Sequence, residues 1–258
     1  MNITDTHCHL DLPDFDVDRN DVLKRCRSSG ISKIIIPAIE YKTWFSLINL
    51  CELNDGLYPA LGLHPVFIHQ HNSDDTNKLE RLLETAMPIA IGEIGLDFYI
   101  KELDQQRQLE LFEQQLVIAK KHNLPVILHV RKAHDQTLQL LKKIKVKGGF
   151  CHAFNGSMQQ AQQYIELGFK LGFGGTLTYA NSSKIHKLAK ELPMESIVLE
   201  TDAPDMVVES HRGERNSPEY IIEALTALAG IRNESIEFIA EQTSKNANDV
   251  MNFSEYDR

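Results

Sequence analysis

Pro125-Val126-Ile127-Leu128-His129-Val130-Arg131 runs three branched apolar residues straight into a histidine. A strand buried on both faces has this composition, because a parallel sheet covered by helices leaves no face for polar side chains. Lys33-Ile34-Ile35-Ile36-Pro37-Ala38 is a second such run, and Ile89-Ala90-Ile91 leads in the same way to Glu93. Working outward, eight runs read as strands: residues 2–7, 33–38, 57–64, 89–94, 125–130, 148–153, 169–174 and 196–201. Polar segments with helical spacing lie between them. The clearest spans 103–121, where Leu109, Phe112, Leu116 and Ala119 fall on one face. The others are 19–29, with Asp18 as predicted N-cap, then 43–53, 77–86, 134–142, 157–166, 183–191 and 218–229, and a last helix at 235–253. Alternating strands and helices predict a parallel α/β architecture, here a (β/α)8 TIM barrel forming one domain over 1–258.

That fold has a chemical consequence. A (β/α)8 barrel builds its site at the C-terminal ends of its strands. His7 ends the first run, His64 the third, Glu93 the fourth, His129 the fifth, His152 the sixth, and Asp202 follows the eighth. Six functional side chains, scattered through the sequence, are therefore expected at one mouth.

The composition narrows the partners. Lys+Arg number 27 against 36 Asp+Glu, a formal net charge of −9. Such a surface repels polyanions at long range and excludes a protein that coats nucleic acid, while leaving room for a local basic pocket around one phosphate. The 42% hydrophobic and 24% charged content excludes a disordered chain. Cys8, Cys26, Cys51 and Cys151 form neither a C-x-x-C pair nor a disulfide scaffold, which predicts a reducing compartment. The start MNITDTHCHL lacks a basic and apolar leader, and no apolar run approaches the ~18 residues of a membrane span. A cytoplasmic monomer without membrane contact is expected.

In Asp5-Thr6-His7-Cys8-His9, strand alternation puts His7 and His9 on one face, where two imidazoles can grip one cation. By itself H-x-H is as readily a pair of surface or core histidines. Glu93, in Gly92-Glu93-Ile94-Gly95-Leu96-Asp97, is a carboxylate at the end of an apolar strand, and its burial requires a cation or several donors. A carboxylate can also offer one oxygen to each of two metals, which an imidazole cannot. His129 and His152 each close an apolar run; one such histidine alone is as readily a satisfied core residue, but two beside an H-x-H and a strand-end Glu are not. In Leu199-Glu200-Thr201-Asp202, Asp202 is nearer the strand end and is assigned to the metal. Glu200 would lie one layer deeper, orienting a ligand histidine or pairing a buried cation.

His64, before Pro65, is expected to hydrogen-bond substrate, with a metal-ligand role as the alternative. Arg131, two residues after His129, would clamp a phosphate oxygen. Arg215 and Asn216, in the loop before Pro218, are further candidates for substrate contact, although a helix start gives such residues structural reasons too. Gly172-Phe173-Gly174-Gly175-Thr176 lacks the Lys-Ser/Thr of a P-loop and reads as a tight turn at the barrel mouth. His69, His71, His122, His134, His186 and His211 have polar sequence neighbours and read as solvated.

Asp5-Thr6-His7-Cys8-His9, Gly62-Leu63-His64-Pro65, Gly92-Glu93-Ile94-Gly95-Leu96-Asp97-Phe98-Tyr99, Pro125 to Arg131 and Leu199-Glu200-Thr201-Asp202-Ala203-Pro204 together resemble the TatD family of metal-dependent hydrolases, from Asp5 to about Asn246. Gly174-Gly175-Thr176-Leu177-Thr178-Tyr179 and the chain length are similar to its YjjV-like branch. The resemblance implies a TIM barrel of the metal-dependent amidohydrolase type, two divalent ions, and deoxyribonuclease activity in several members. It implies one metal on His7, His9, Glu93 and Asp202 and another on Glu93, His129 and His152, with Glu93 bridging.

The expected activity is phosphodiester hydrolysis, as in a deoxyribonuclease with 3′-5′ exonuclease-like action on DNA ends or short oligonucleotides. A metal-bridging hydroxide would attack phosphorus, Glu93 would hold both metals, and Asp202 would accept the proton. Hydrolysis of a carboxyl ester, lactone or amide is the alternative, including D-aminoacyl-tRNA deacylation, which the resemblance also covers. A metal-binding scaffold without catalysis is the third reading. Imidazole-rich ligation suits Zn²⁺ or Mn²⁺ better than Mg²⁺, while the resemblance implies that Mg²⁺ supports nuclease action.

Overall fold

The computed structural model describes residues 1–256. The last two positions of the expected 1–258 unit lie outside the described residues. Eight strands follow one another in chain order, each parallel to the next: β1 (Ile3–Asp5), β2 (Ile31–Pro37), β3 (Leu57–Leu61), β4 (Ala90–Asp97), β5 (Val126–Arg131), β6 (Gly149–Cys151), β7 (Phe169–Phe173) and β8 (Ile197–Leu199). Each overlaps the run from which it was expected. The helices are α1 (Arg19–Ser28), α2 (Trp44–Glu52), α3 (Asp75–Leu82), α4 (Gln105–Lys121), α5 (His134–Ile144), α6 (Met158–Glu166), α7 (Ser183–Glu191), α8 (Ile221–Arg232) and α9 (Ile236–Met251). The chain is a (β/α)8 barrel, with the eight parallel strands inside and the helices around them.

Local chemistry sets several helix starts. The Asp104 carboxylate accepts the Arg107 N–H at the start of α4, and Ser157 and Gln160 form a reciprocal capping box on α6. Asp18 occupies the expected N-cap position of α1, but its side chain makes no capping hydrogen bond and is held by Arg215 instead.

Inside the barrel Ile35, Ala60, Ala90, Ile127, Phe150 and Val198 form a buried apolar plug, and Met251 and Phe253 pack into the same cluster. Strand alternation then dictates what stands above the plug. Two residues beyond Ile127 is His129, two beyond Phe150 is His152, and two beyond Val198 is Glu200. β4 departs from this count, because its register against β5 shifts between Ile91 and Ile94. From Glu93 the step of two leads on to Gly95 and Asp97, so β4 runs three residues past its expected end.

The first and last strands are joined beyond the ends of β1 and β8. The Thr6 N–H donates to Leu199 O at 3.0 Å and the Asp202 N–H to His7 O at 2.8 Å. Asp5, fully buried, stitches the same seam: it accepts the His7 N–H at 3.2 Å, the Thr201 N–H at 3.1 Å and the Thr201 hydroxyl at 2.6 Å. Burial lifts its carboxyl to about 8 against these hydrogen bonds. Asp5→Ala is expected to lower stability by about 3 kcal/mol, since buried donors lose their acceptor, and so to lower Tm by about 6–12 °C. Asp5→Asn, which keeps an oxygen in place, should lose much less. Thermal unfolding of the two variants decides it: equal Tm values would mean that the seam does not depend on this side chain.

Candidate metal centre

The seven strand-end groups His7, His9, His64, Glu93, His129, His152 and Asp202 come together at the C-terminal mouth. All but His129 and Asp202 are buried, and those two are half-buried. The His7 and His9 Nε2 atoms lie 3.2 Å apart. Glu93 Oε2 is 3.1 Å from the first and 3.4 Å from the second, and Asp202 Oδ1 is 3.6 Å from both. A tetrahedral cation with ligands at about 2.0–2.2 Å requires donors about 3.3–3.6 Å apart. The chemistry of the donors fits as well as their spacing. His9 Nδ1 is 3.1 Å from Pro37 O, so it carries the proton of the neutral ring and leaves a lone pair on Nε2. That lone pair faces carboxylate oxygens and another imidazole nitrogen, an arrangement that only a proton or a cation satisfies.

The other oxygen of Glu93 faces a second set. Oε1 lies 3.1 Å from His129 Nδ1 and 3.3 Å from His64 Nε2. The two histidines differ in what they offer. His129 Nε2 is 3.0 Å from Asp97 Oδ2, so the neutral ring donates there and turns a lone pair on Nδ1 toward Glu93. His64 Nδ1 accepts the Val66 N–H at 3.1 Å, which leaves the proton of the neutral ring on Nε2. His129 therefore has the tautomer of a ligand and His64 that of a hydrogen-bond donor.

His152 stands with the first set. Its ring stacks on that of His7 at 3.8 Å, and its Nε2 lies 3.6 Å from Asp202 Oδ2, whereas its ring centroid is 6.4 Å from that of His129. The family resemblance implies that it shares an ion with His129. Glu200 sets its orientation: its Oε1 is 3.1 Å from His152 Nδ1 and also accepts the Ala153 N–H at 2.6 Å. Glu200 fits only because Gly172 has no side chain, since a Cβ there would meet Glu200 Oε2 at 2.1 Å. The glycine run beginning at Gly172, expected as a turn, thus starts inside β7 and makes room for a carboxylate.

Burial and charge pull the imidazoles apart. Burial holds His7 well below the usual range and His64 down to about 4. Burial also opposes protonation of His9 and His152, but Glu93 lifts the first to about 9, and Glu200 and Asp202 lift the second to about 10. Burial raises the Asp202 carboxyl to about 6 against the pull of His152 and His9. With both raised above neutrality, His9 and His152 hold protons at pH 7 until a cation displaces them. Zn²⁺ binding is therefore expected to release protons and to tighten as pH rises from 6 to 8. Calorimetry in two buffers of different ionisation heat measures this, and equal heats in both would contradict it.

Three residues expected at the substrate are placed differently from one another. Arg131 stands half-exposed at the mouth, with its guanidinium 3.8 Å from the Tyr99 ring centroid. Arg215 does not serve the mouth: both its terminal nitrogens bond Asp18, at 2.9 and 2.8 Å, and its guanidinium covers Phe15. Asn216 is buried and donates to Thr201 O and Asp205 O, which ties down the loop after β8. Both side chains, expected at the substrate, are instead bonded within the protein, to loop backbone and to the half-buried Asp18. His71 and His134, expected in solvent, are buried; the first reaches His64 O and the second lies between Tyr164 and Asn155. Asp97 was missed. It sits four residues beyond Glu93, on the same strand face by alternation, and that spacing is the signal that identifies it.

Among the described residues three donor groups could hold a cation: His7 with Glu93 and His152, His7 with His9 and Asp202, and His64 with Glu93 and His129, each with ligand atoms within 4.8 Å of one another. No helix among the described residues is long and apolar enough to cross a membrane. Residues 4–252 match the family model described as TatD related DNase. The chain is 39% identical over 251 residues to an uncharacterized metal-dependent hydrolase, YjjV, of Escherichia coli strain K12, covering 96% of this chain and 97% of that protein. It is 32% identical to the uncharacterized metal-dependent hydrolase YabD of Bacillus subtilis strain 168, covering 94% and 96%. The crystal structure of the Escherichia coli YjjV protein superposes with a TM-score of 0.93 over 97% of this chain and 98% of that one. At 12% identity, dihydropyrimidinase from Brevibacillus agri shares the fold, with a TM-score of 0.63 over 96% of this chain and 70% of that one. The chain belongs to the TatD-related DNase family and is a metal-dependent hydrolase.

Proposed function

We propose that the chain hydrolyses phosphodiester bonds at DNA ends or in short oligonucleotides, with two divalent cations at the barrel mouth. The carrying observation is Glu93, whose two oxygens face different histidine sets, Oε2 toward His7 and His9 and Oε1 toward His129 and His64. In this reading His7, His9, Glu93, Asp202 and His152 would hold one ion, and Glu93 and His129 would hold the other. Such cations supply an activated water and charge stabilisation at the phosphoryl oxygens. The chain's own groups do the rest. Asp202, raised to about 6 by burial, accepts the proton of the attacking water. His64, neutral and protonated on Nε2, donates a hydrogen bond to a phosphoryl oxygen as charge develops there. Glu200 and Asp97 act through others, by fixing the rings of His152 and His129.

With Arg215 committed to Asp18, Arg131 and Lys132 are the exposed cations at the end of β5. A footprint of about two phosphates gives a log–log salt slope near −1.4 for single strands. The test is metal analysis of the loaded protein, which should give about two ions per chain. It is followed by kcat/KM on a short single-stranded oligonucleotide, a closed circular duplex, a carboxyl ester and a D-aminoacyl-tRNA at several salt concentrations. Preference for the oligonucleotide with a shallow slope is expected. Faster turnover of either ester would replace this reading with acyl hydrolysis, and metal binding without any turnover would leave a scaffold.

A further inference from the structure

β4 ends on Asp97, and the two residues after it part company: Phe98 turns into the core, while Tyr99 is 54% exposed. The position of Tyr99 is nevertheless fixed by the site. Its N–H donates to Asp97 Oδ1 at 2.9 Å, and the other oxygen of Asp97 lies 3.0 Å from His129 Nε2. Across the β4–β5 ladder Asp97 pairs with Arg131, which brings the Arg131 guanidinium onto the Tyr99 ring. Among the described residues the Arg131 side chain makes no hydrogen bond, and its nearest carboxylate oxygen is Asp97 Oδ2 at 4.0 Å. Arg215, by contrast, is spent on Asp18 at 2.8 Å. A half-exposed guanidinium, 3.8 Å from the centre of a phenol ring and paired only at 4.0 Å with Asp97 among the described residues, therefore stands two strand residues beyond His129, about 7 Å along the strand.

We propose that Tyr99 and Arg131 form a stacking platform for the nucleobase next to the scissile phosphate, so that the site takes nucleotides rather than phosphodiesters in general. The proposal rests on the phosphodiester reading above. Every base has a π face, and aromatic rings and Arg planes both stack on it with little regard to sequence. The Arg131 charge also favours a ligand that carries a phosphate. A carboxyl ester without an aromatic group would gain nothing from this pair.

The test uses the metal-loaded full chain and two readouts. The chain's single tryptophan, Trp44, is fully buried, so Tyr99→Trp adds a reporter at the mouth. Titration with deoxyadenosine monophosphate is expected to quench its fluorescence saturably, and titration with deoxyribose 5-phosphate to leave it nearly unchanged. In turnover, the ratio of kcat/KM for an oligonucleotide to that for the same strand with an abasic terminal residue is expected to fall roughly tenfold or more in Tyr99→Ala, and to be kept in Tyr99→Phe. Quenching by the nucleotide without cleavage of any phosphodiester would support the platform while removing the phosphodiester reading. Cleavage with an unchanged ratio in Tyr99→Ala, or fluorescence indifferent to the nucleotide, would overturn the platform and leave the phosphodiester reading standing.

Discussion

Glu93→Gln is expected to reduce kcat/KM by more than about 10³-fold, the scale on which a donor to developing charge matters, and to lower metal content from about two ions to one or fewer. The substitution preserves shape, so the argument turns on charge and lone pairs alone. Glu93 is 1% exposed and lies between two sets of imidazole nitrogens. As an amide it keeps one acceptor oxygen and presents an NH₂ group on the other side. Whichever way the amide turns, one set meets N–H donors where it now meets a carboxylate oxygen, and the fixed negative charge between the two sets is lost. Elemental analysis and turnover are to be read on the same preparation. Undiminished metal with activity within tenfold of the parent would show that Glu93 does not join the two sets.

Which side chains converge was legible from the sequence wherever strand alternation carried the information. Ile127, His129 and Arg131 share a face, as do Phe150 with His152 and Val198 with Glu200, so an apolar plug and a polar mouth follow from one period of two. Glu93 shows the limit of that rule. It faces the mouth through a register shift against β5 between Ile91 and Ile94, and no residue pattern announces such a shift. Asp97 lies in the motif that begins at Gly92, but its apolar run predicts a strand ending at Ile94, and a carboxylate outside a strand has no assigned face. The loop residues were illegible for a different reason. Arg215 and Asn216 follow no period, and their partners Asp18, Thr201 and Asp205 are set by tertiary folding. His71 and His134 misled because polar sequence neighbours report nothing about the elements that later cover a side chain. Gly172 is the converse case: its purpose became visible only with Glu200 lying against it.

Asp202→Asn is expected to lower kcat by about 10²–10⁴-fold, the range for a general base, with metal content largely retained. Asparagine is the informative replacement, because Asp202 holds a left-handed backbone, φ 56°, which Asn adopts more readily than Ala. The Asp202 N–H also bonds His7 O at 2.8 Å, so a strained backbone here would disturb the seam between the first and last strands. The amide keeps an oxygen for the His7 and His9 side, now 3.6 Å from both nitrogens, and His7, His9 and Glu93 remain as donors. It has no basic oxygen to take a proton. The loss should therefore fall on kcat, with KM little changed. Metal analysis separates the two roles that the carboxylate fills. Loss of the ion together with activity would make Asp202 a ligand first, and the proton would have to leave by another route.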